Sequence, residues 1–168
     1  IEGALVFTRT KHRADRLANF LVRSGIRAER IHGNRSQPQR TAAMAGFKSG
    51  RFPVLVATDI AARGIDVVAL GHVVNFDVPK SPDDYIHRIG RTGRAEKTGE
   101  AFTFVAPDEE DALLDIEWVI GKRLPRVTVP DFDYGARGAS RGEGRGARRS
   151  EGGRGGGAGY RGGSGRRA

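Results

Sequence analysis

Two kinds of hydrophobic pattern alternate over residues 1–120. Five short runs have the length and apolar content of strands. They are Ala4–Thr8, Ala28–His32, Pro53–Ala57, His72–Phe76 and Ala101–Val105. Because helical patterns separate most of these runs, the strands are expected to pair in parallel, with helices on both faces. The pattern therefore predicts an α/β fold with a mainly parallel sheet.

The helical stretches carry recognisable start and stop signals. Residues 11–24 form an amphipathic stretch that Gly25 ends. A second helix is predicted from the capping box of Ser36 and Gln39 to about residue 49, and Pro82 opens a third. A fourth is predicted over residues 108–120. The expected inner faces are Ala14, Leu17, Ala18 and Leu21 on the first helix and Leu113, Ile116 and Ile120 on the last.

Length and composition limit the classes of protein that fit. The chain has 168 residues, which suits one globular domain, and no cysteine, which excludes disulfides and thiolate metal sites. No apolar run approaches the roughly 20 residues of a membrane span. We therefore expect a cytoplasmic protein without a membrane partner. Since the first residue is Ile1 rather than Met, the sequence is expected to be a piece of a longer protein.

Positive charge is concentrated in residues 135–168. This stretch has nine Arg, two Glu and 14 Gly, so it carries +7 of the net charge of +9 and leaves +2 for residues 1–134. It has almost nothing apolar to bury, so it is predicted to be a disordered, RGG-like basic tail. The expected organisation is one folded domain over 1–134 and, over 135–168, a tail that binds a polyanion.

Two motifs carry the candidate chemistry. The first is the octapeptide at 87–94, His-Arg-Ile-Gly-Arg-Thr-Gly-Arg, in which Arg91 and Arg94 are spaced to point at one anion. Guanidinium groups bind phosphate oxygens as bidentate donors, and glycine lets a ligand approach the backbone. The second is the stretch at 57–66, Ala-Thr-Asp-Ile-Ala-Ala-Arg-Gly-Ile-Asp. Together the motifs resemble the second RecA-like domain of DEAD-box RNA helicases.

This resemblance implies a RecA-like fold for residues 4 to about 125, with an ATP site on one side. Arg94 is then expected to be the arginine finger, and His87 to lie near the attacking water. Asp66 matches the acceptor for the ribose hydroxyls, and Arg63 and Gly64 match positions that couple the two ligands across the interdomain cleft. The expected ATP-binding residues are Gly64, Asp66, Arg91 and Arg94, and the expected catalytic residues are His87, Arg91 and Arg94.

The resemblance also implies that the loops after the first three strands bind RNA. Thr58 and Asp59 match a phosphate-contacting pair at a strand end. Gln37 and Arg40 match a Q-x-x-R element at a helix start, where the helix dipole already favours an anion. Contacts to phosphate and sugar of this kind give affinity without sequence readout. The expected RNA-binding residues are Thr8, Arg9, Gly33, Gln37, Arg40, Thr58 and Asp59.

Part of an ATPase is missing from the sequence. There is no G-x-x-x-x-G-K-[ST] motif to hold the β- and γ-phosphates. The four acids at 108–111 look like Mg²⁺ ligands, but they are better explained as the first turn of a helix, whose dipole favours negative charge. No metal ligand is predicted here. The resemblance implies instead that ATP and Mg²⁺ are held together with a first RecA-like domain, which is also the expected partner of this one.

Three functions remain compatible with these residues. One is the second domain of an ATP-dependent RNA helicase that unwinds short duplexes locally. The others are an RNA-binding module that acts without catalysis and a DNA-helicase domain of the same superfamily. Residues 7–10, Phe-Thr-Arg-Thr, and the Arg/Gly tail favour a bacterial RhlE-type branch. The sequence carries no signal for a particular RNA or for an oligomeric state.

Overall fold

A five-stranded sheet forms the centre of the compact unit Ile1–Arg126. The computed structural model describes residues 3–63, 70–92 and 99–134. The strands are β1 (Ala4–Phe7), β2 (Ala28–Ile31), β3 (Val54–Ala57), β4 (His72–Asn75) and β5 (Glu100–Thr103). The helices are α1 (Lys11–Arg23), α2 (Gln37–Lys48), α3 (Asp59–Ala62), α4 (Pro82–Ile89) and α5 (Glu110–Ile120), the last preceded by a 3₁₀ turn at Pro107–Glu109.

The strand order is β2-β3-β1-β4-β5, and every neighbouring pair is parallel. Ala4 at the start of β1 lies between Val54 of β3 and His72 of β4. After β1 the chain therefore continues toward the β2 edge of the sheet, whereas after β4 it continues toward the β5 edge. The predicted parallel α/β sheet is confirmed, and its carboxyl edge carries the loops after β1, β3 and β4.

Alternate residues of each strand pack against helices on opposite faces. Leu5 and Phe7 of β1 belong to the cluster that includes Ala43 and Phe47 of α2. The other face of the sheet packs against α1, whose predicted inner residues are in place. Ala14 and Ala18 are fully buried, and Leu17 and Leu21 pack against the same cluster.

One helix was not predicted, and one strand and one helix have a boundary two residues from the predicted one. Helix α3 was not predicted, because it is a single turn whose N-cap, Thr58, makes no side-chain capping bond. Strand β5 ends at Thr103 rather than Val105, because its partner β4 ends at Asn75. The acids at 108–111 lie at a helix start, as predicted, but Asp108 and Glu109 form the 3₁₀ turn and α5 begins one residue later.

Helices α4 and α5 share a smaller cluster of Val78, Tyr85 and Ile116. The sequence pattern missed Glu117 on this buried side of α5. Its carboxylate accepts from the Arg126 guanidinium at 2.7 Å and from the Leu124 backbone amide at 2.6 Å. These two bonds hold the pKa of Glu117 below its usual range. Burial, together with the nearby Glu117 charge, raises the pKa of Tyr85.

The chain divides into two compact units, Ile1–Arg126 and Val127–Ala168. In the second, the Val129 amide donates to the Tyr134 hydroxyl at 2.6 Å. The predicted domain boundary at residue 134 stays a prediction, and the predicted tail at 135–168 lies outside the described residues. No helix in the described part of the chain combines the length and apolar character that a membrane crossing requires.

We expect Gly46→Ala to lower the free energy of unfolding by about 1–2 kcal/mol, the usual cost of overpacking a filled site. An added Cβ at Gly46 would lie 2.4 Å from the Phe52 ring, which outweighs the better helix propensity of alanine. Urea denaturation measures the change. The control is Gly33→Ala, because a Cβ at Gly33 meets no atom within 4 Å. Equal stability of the two variants would contradict the prediction.

Candidate functional site

The buried side chain of Arg88 is the centre of the carboxyl edge. Its Nε and Nη2 donate to the two carboxylate oxygens of Asp59 at 2.7 and 2.8 Å. Its Nη1 donates to Asn75 Oδ1 at 3.1 Å and to the Asp77 carbonyl at 3.0 Å. The guanidinium carbon lies 5.0 Å from the centroid of the Phe7 ring. Arg88 thus connects α4 to the ends of β1, β3 and β4.

Asp77 forms a second junction on this edge and is 1% exposed. One carboxylate oxygen accepts from the Arg9 backbone amide at 2.7 Å, and the other pairs with Arg13 at 2.6 Å. The Arg9 guanidinium pairs with Glu109 at the start of the last helical segment. The loops after β1 and β4 are therefore held together where their chain connections diverge, the position at which parallel α/β sheets bind ligands.

Two pockets adjoin this junction. The first has Arg63, His87 and Arg91 around it, and Arg63 lies 3.8 Å from Asp84 with 75% of its side chain exposed. The second has Arg9, Thr58 and Lys80 around it. Both pockets are bounded by Asp59, Asp84 and Arg88. The ion pair of Arg88 and Asp59 is thus part of the wall that the two pockets share.

The structure gives two of the expected RNA-binding side chains other contacts. Thr8 is fully buried, and its hydroxyl donates to the Thr10 carbonyl at 3.3 Å. The two oxygens of the Asp59 carboxylate accept from Nε and Nη2 of Arg88. Thr58, beside it, is only half-buried and lines the second pocket. The RNA-binding roles stay predictions, and in this structure the side chains of Thr8 and Asp59 serve the fold.

Gly33, Gln37 and Arg40 lie after β2, outside the two pockets. Gln37 is the first residue of α2, and Ser36 caps that helix in the predicted capping box with Gln39. Within the described residues, the Nε of Arg40 is buried without a hydrogen-bond partner. An unpaired buried donor costs about 1–3 kcal/mol, so a ligand oxygen that reached it would stabilise the site.

The loop before α2 is fixed by the buried ring of His32. Its Nδ1 accepts from the Asn34 backbone amide at 3.3 Å, and its Nε2 lies 3.1 Å from Asp15 Oδ1. A backbone amide can only donate, so Nε2 carries the proton toward Asp15. Burial alone would raise the pKa of Asp15, but bonds from His32 and from Arg30, at 2.5 Å, outweigh it and lower that pKa.

Three of the expected ATP-site residues, Gly64, Asp66 and Arg94, lie outside the described residues. Of the others, His87 is exposed at the end of α4, and Arg91 follows it in the first pocket. Within 3–63, 70–92 and 99–134, no group of three His, Asp or Glu side chains is placed to hold a metal ion.

Sequence reasoning missed Asn75, Asp77 and Arg88. Arg88 stands inside the octapeptide, so its motif was visible, but its partners are 11 to 29 residues away in sequence. Asn75 ends an apolar strand and Asp77 follows it, with no motif around either residue. Their role appears only when the carboxyl ends of adjacent strands meet.

Comparison with known proteins bears on the identity of this fold. The family described as helicase conserved C-terminal domain matches residues 2–96. A relative in Bacillus subtilis, DEAD-box ATP-dependent RNA helicase CshA, is 51% identical over 132 residues. That match covers 79% of this chain and 27% of the relative. The chain thus spans about a quarter of the length of this relative.

Solved structures show the same architecture. The Escherichia coli DEAD-box protein SrmB, solved bound to regulator of ribonuclease activity A, matches with a TM-score of 0.72 and 41% identity, covering 76% of this chain and 75% of that one. The C-terminal domain of the DEAD-box protein Dbp5 matches with a TM-score of 0.67 and 35% identity, covering 72% and 71%. The predicted RecA-like fold is confirmed. The predicted RhlE-type branch is not supported, because the sequence relatives carry the name CshA.

We expect Arg88→Lys to lower the free energy of unfolding by about 2–3 kcal/mol. Lysine keeps the charge but loses the planar fork, so Asp59 and Asn75 lose partners in a largely buried site. The cost is below that of a fully buried pair because the Asp59 side chain is 32% exposed. Urea denaturation measures it, with Arg13→Lys as the matched control. The Arg13 side chain is 49% exposed, and its partner Asp77 keeps the Arg9 backbone amide as a second donor, so this loss should be smaller. Equal losses would contradict the central role of Arg88.

Proposed function

The chain belongs to the helicase conserved C-terminal domain family, in the form found in DEAD-box RNA helicases, and from this premise we propose that it supplies one wall of an ATP site and an RNA-binding surface for ATP-driven duplex unwinding. The relatives are RNA helicases, which favours RNA over DNA as the substrate. The cytoplasmic location and the RNA-binding tail stay predictions.

The observation that carries the proposal is the pair of pockets with a shared wall. His87 and Arg91, expected on the ATP side, line the first pocket together with Arg63, the expected coupling residue. Arg9 and Thr58, expected on the RNA side, line the second. Family resemblance alone does not require that the residues expected on the ATP side and those expected on the RNA side line adjacent pockets. The ion pair of Arg88 and Asp59, which borders both pockets, gives a physical route by which RNA and ATP could affect each other.

On the RNA side, we propose contacts to the sugar-phosphate backbone. The exposed Arg9 and Lys80 offer positive charge beside the Thr58 hydroxyl. Arg40 adds charge in the first turn of α2, where backbone amides already favour an anion. Gly33 and Gln37 stand at the same helix start. Such contacts hold many RNA sequences alike, because phosphate carries no sequence information.

On the ATP side, the chain would supply only part of the machinery. Arg91 and Arg94 would stabilise charge on the transferred phosphoryl group, with Arg94 as the finger, and His87 would lie near the attacking water. Gly64 and Asp66 would contact the nucleotide, Asp66 at the ribose. A first RecA-like domain would hold the phosphates and Mg²⁺, which neutralises charge on them. Without it, this chain is expected to show no ATP turnover above blank.

The RNA side is tested with Arg40→Gln in this chain. We expect affinity for a six-nucleotide oligouridine to fall about tenfold, or about 1.4 kcal/mol, and the slope of log K against log salt to become less negative by about 0.7. Fluorescence anisotropy over a potassium chloride series measures both. Arg51→Gln is the matched control, because Arg51 is exposed beyond the other end of α2. Gly33→Ala should also weaken binding without loss of stability. Equal affinity of the Arg40 and Arg51 variants would refute this RNA surface.

The ATP side is tested in the reassembled two-domain protein. We expect Arg94→Ala to lower kcat at least about 100-fold, the low side of arginine-finger effects. RNA affinity without nucleotide should hardly change, because Arg94 is proposed to face the phosphates. Arg91→Ala should reduce both turnover and ATP affinity. Steady-state ATPase with saturating RNA measures these effects, and normal turnover of the Arg94 variant would remove it from the finger role.

A further inference from the structure

One exposed surface takes no part in the proposed sites. It is the outer face of α1 and the turn after it, formed by His12, Arg16, Asn19, Phe20, Arg23 and Arg27. These side chains are exposed, and Phe20 has 59% of its surface in solvent. The opposite side of the helix is buried through Ala14 and Ala18. With 3.6 residues per turn, residues 12, 16, 19 and 23 share one stripe.

Positive charge is concentrated on this segment. Residues 11–27 contain five Lys or Arg and one Asp, a net +4, whereas residues 1–134 as a whole carry +2. The rest of that region is therefore net negative. The one acid, Asp15, is engaged by Arg30 and His32 away from the stripe. Among the described residues, Arg16 and Arg27 have no ion-pair partner, so their charge is available to a polyanion.

The stripe of residues 12, 16, 19 and 23 starts next to the carboxyl edge of the sheet and runs along α1. α1 begins directly after Arg9 and Thr10, and its 13 residues extend about 20 Å. Arg16 and Arg23 are about 10 Å apart along the helix axis, or about three times the roughly 3.4 Å axial spacing of phosphates on one strand of duplex DNA. A strand held at the RNA-side pocket would meet His12 first and then the arginines.

The exposed ring of Phe20 distinguishes a single strand from other polyanions. It lies between Arg16 and Arg23 in sequence and neighbours both on the helix surface. Alternating arginines and an aromatic ring suit single-stranded nucleic acid, where phosphates meet the charges and a base stacks on the ring. An acidic protein segment would use the arginines but would have no base for the ring.

We propose that the outer face of α1 binds the single-stranded RNA that flanks the segment held at the carboxyl edge. The proposal rests on the proposed function for the direction of the strand. It adds a second surface, which lengthens the RNA site from the pocket to the far end of α1. RNA long enough to reach both surfaces would then bind more tightly than RNA that fills the pocket alone.

The test uses the full chain with the triple variant Arg16→Gln, Arg23→Gln and Arg27→Gln. Binding of 6- and 18-nucleotide fluorescent oligouridines is measured over a potassium chloride series. For the longer RNA, we expect the slope of log K against log salt to become less negative by about 2, since each phosphate contact on a single strand contributes about 0.7. The shorter RNA should bind as it does to the unchanged chain. Phe20→Leu should weaken only the longer RNA, about fivefold or more.

The matched control removes the same charge elsewhere, with Arg51→Gln, Lys122→Gln and Arg123→Gln, all at exposed positions. Thermal melts establish that both triple variants fold. Equal slopes for the two triple variants with the longer RNA, or an equal loss for both RNA lengths, would overturn the proposal. If the α1 triple variant keeps the unchanged salt slope with the longer RNA but no longer binds an acidic peptide, the outer face of α1 binds protein instead of RNA. Loss of short-RNA binding in Arg40→Gln tests the proposed function separately, because that variant leaves α1 unchanged.

Discussion

The carboxyl edge of this sheet depends on one buried guanidinium group. Arg88 is 3% exposed, so its charge must be compensated inside the protein. The bidentate pair with Asp59 supplies the opposite charge, and Asn75 and the Asp77 carbonyl take the remaining directed bonds. Since a planar fork can satisfy these acceptors in only one orientation, α4 is fixed relative to three strands. The loops that carry the candidate site residues are therefore fixed in position as well.

Burial also distinguishes three arginines of the site from one another. Arg88 is buried and makes four hydrogen bonds within the fold, so we expect it to position other residues rather than to bind a ligand. Arg63 is mostly exposed and only 3.8 Å from Asp84, a weak contact that an incoming anion could replace. Arg9 is intermediate, because Glu109 holds its guanidinium while its side chain remains 38% exposed. Ligand binding is therefore expected to rearrange Arg63 before Arg9 and to leave Arg88 in place.

The sequence predicted the elements better than the contacts between them. Strand and helix faces follow local periodicity, which is why the inner residues of α1 and α5 were identified correctly. The capping box at Ser36 is equally local, and the structure contains it. The junctions are different, because Arg9 reaches Asp77 across 68 residues and Glu109 across 100. Nothing in the local pattern of Asp77 or Glu109 indicates such partners, so only the fold reveals them.

The first helix connects the two RNA surfaces that we propose. On its inner side, Asp15 bonds His32, whose ring accepts from the Asn34 amide and so fixes the turn that precedes α2. Lys11 at the start of the helix reaches the Asn34 side chain at 3.1 Å. The helix and the turn therefore form one unit, held by contacts that consume the acid of α1. Because Asp15 is used in this way, the outer arginines face solvent without a neutralising acid on their own helix. The bonds of Asp15 and His32 therefore position the turn before α2 for one segment of RNA. They also leave the outer face of α1 positively charged for the neighbouring segment.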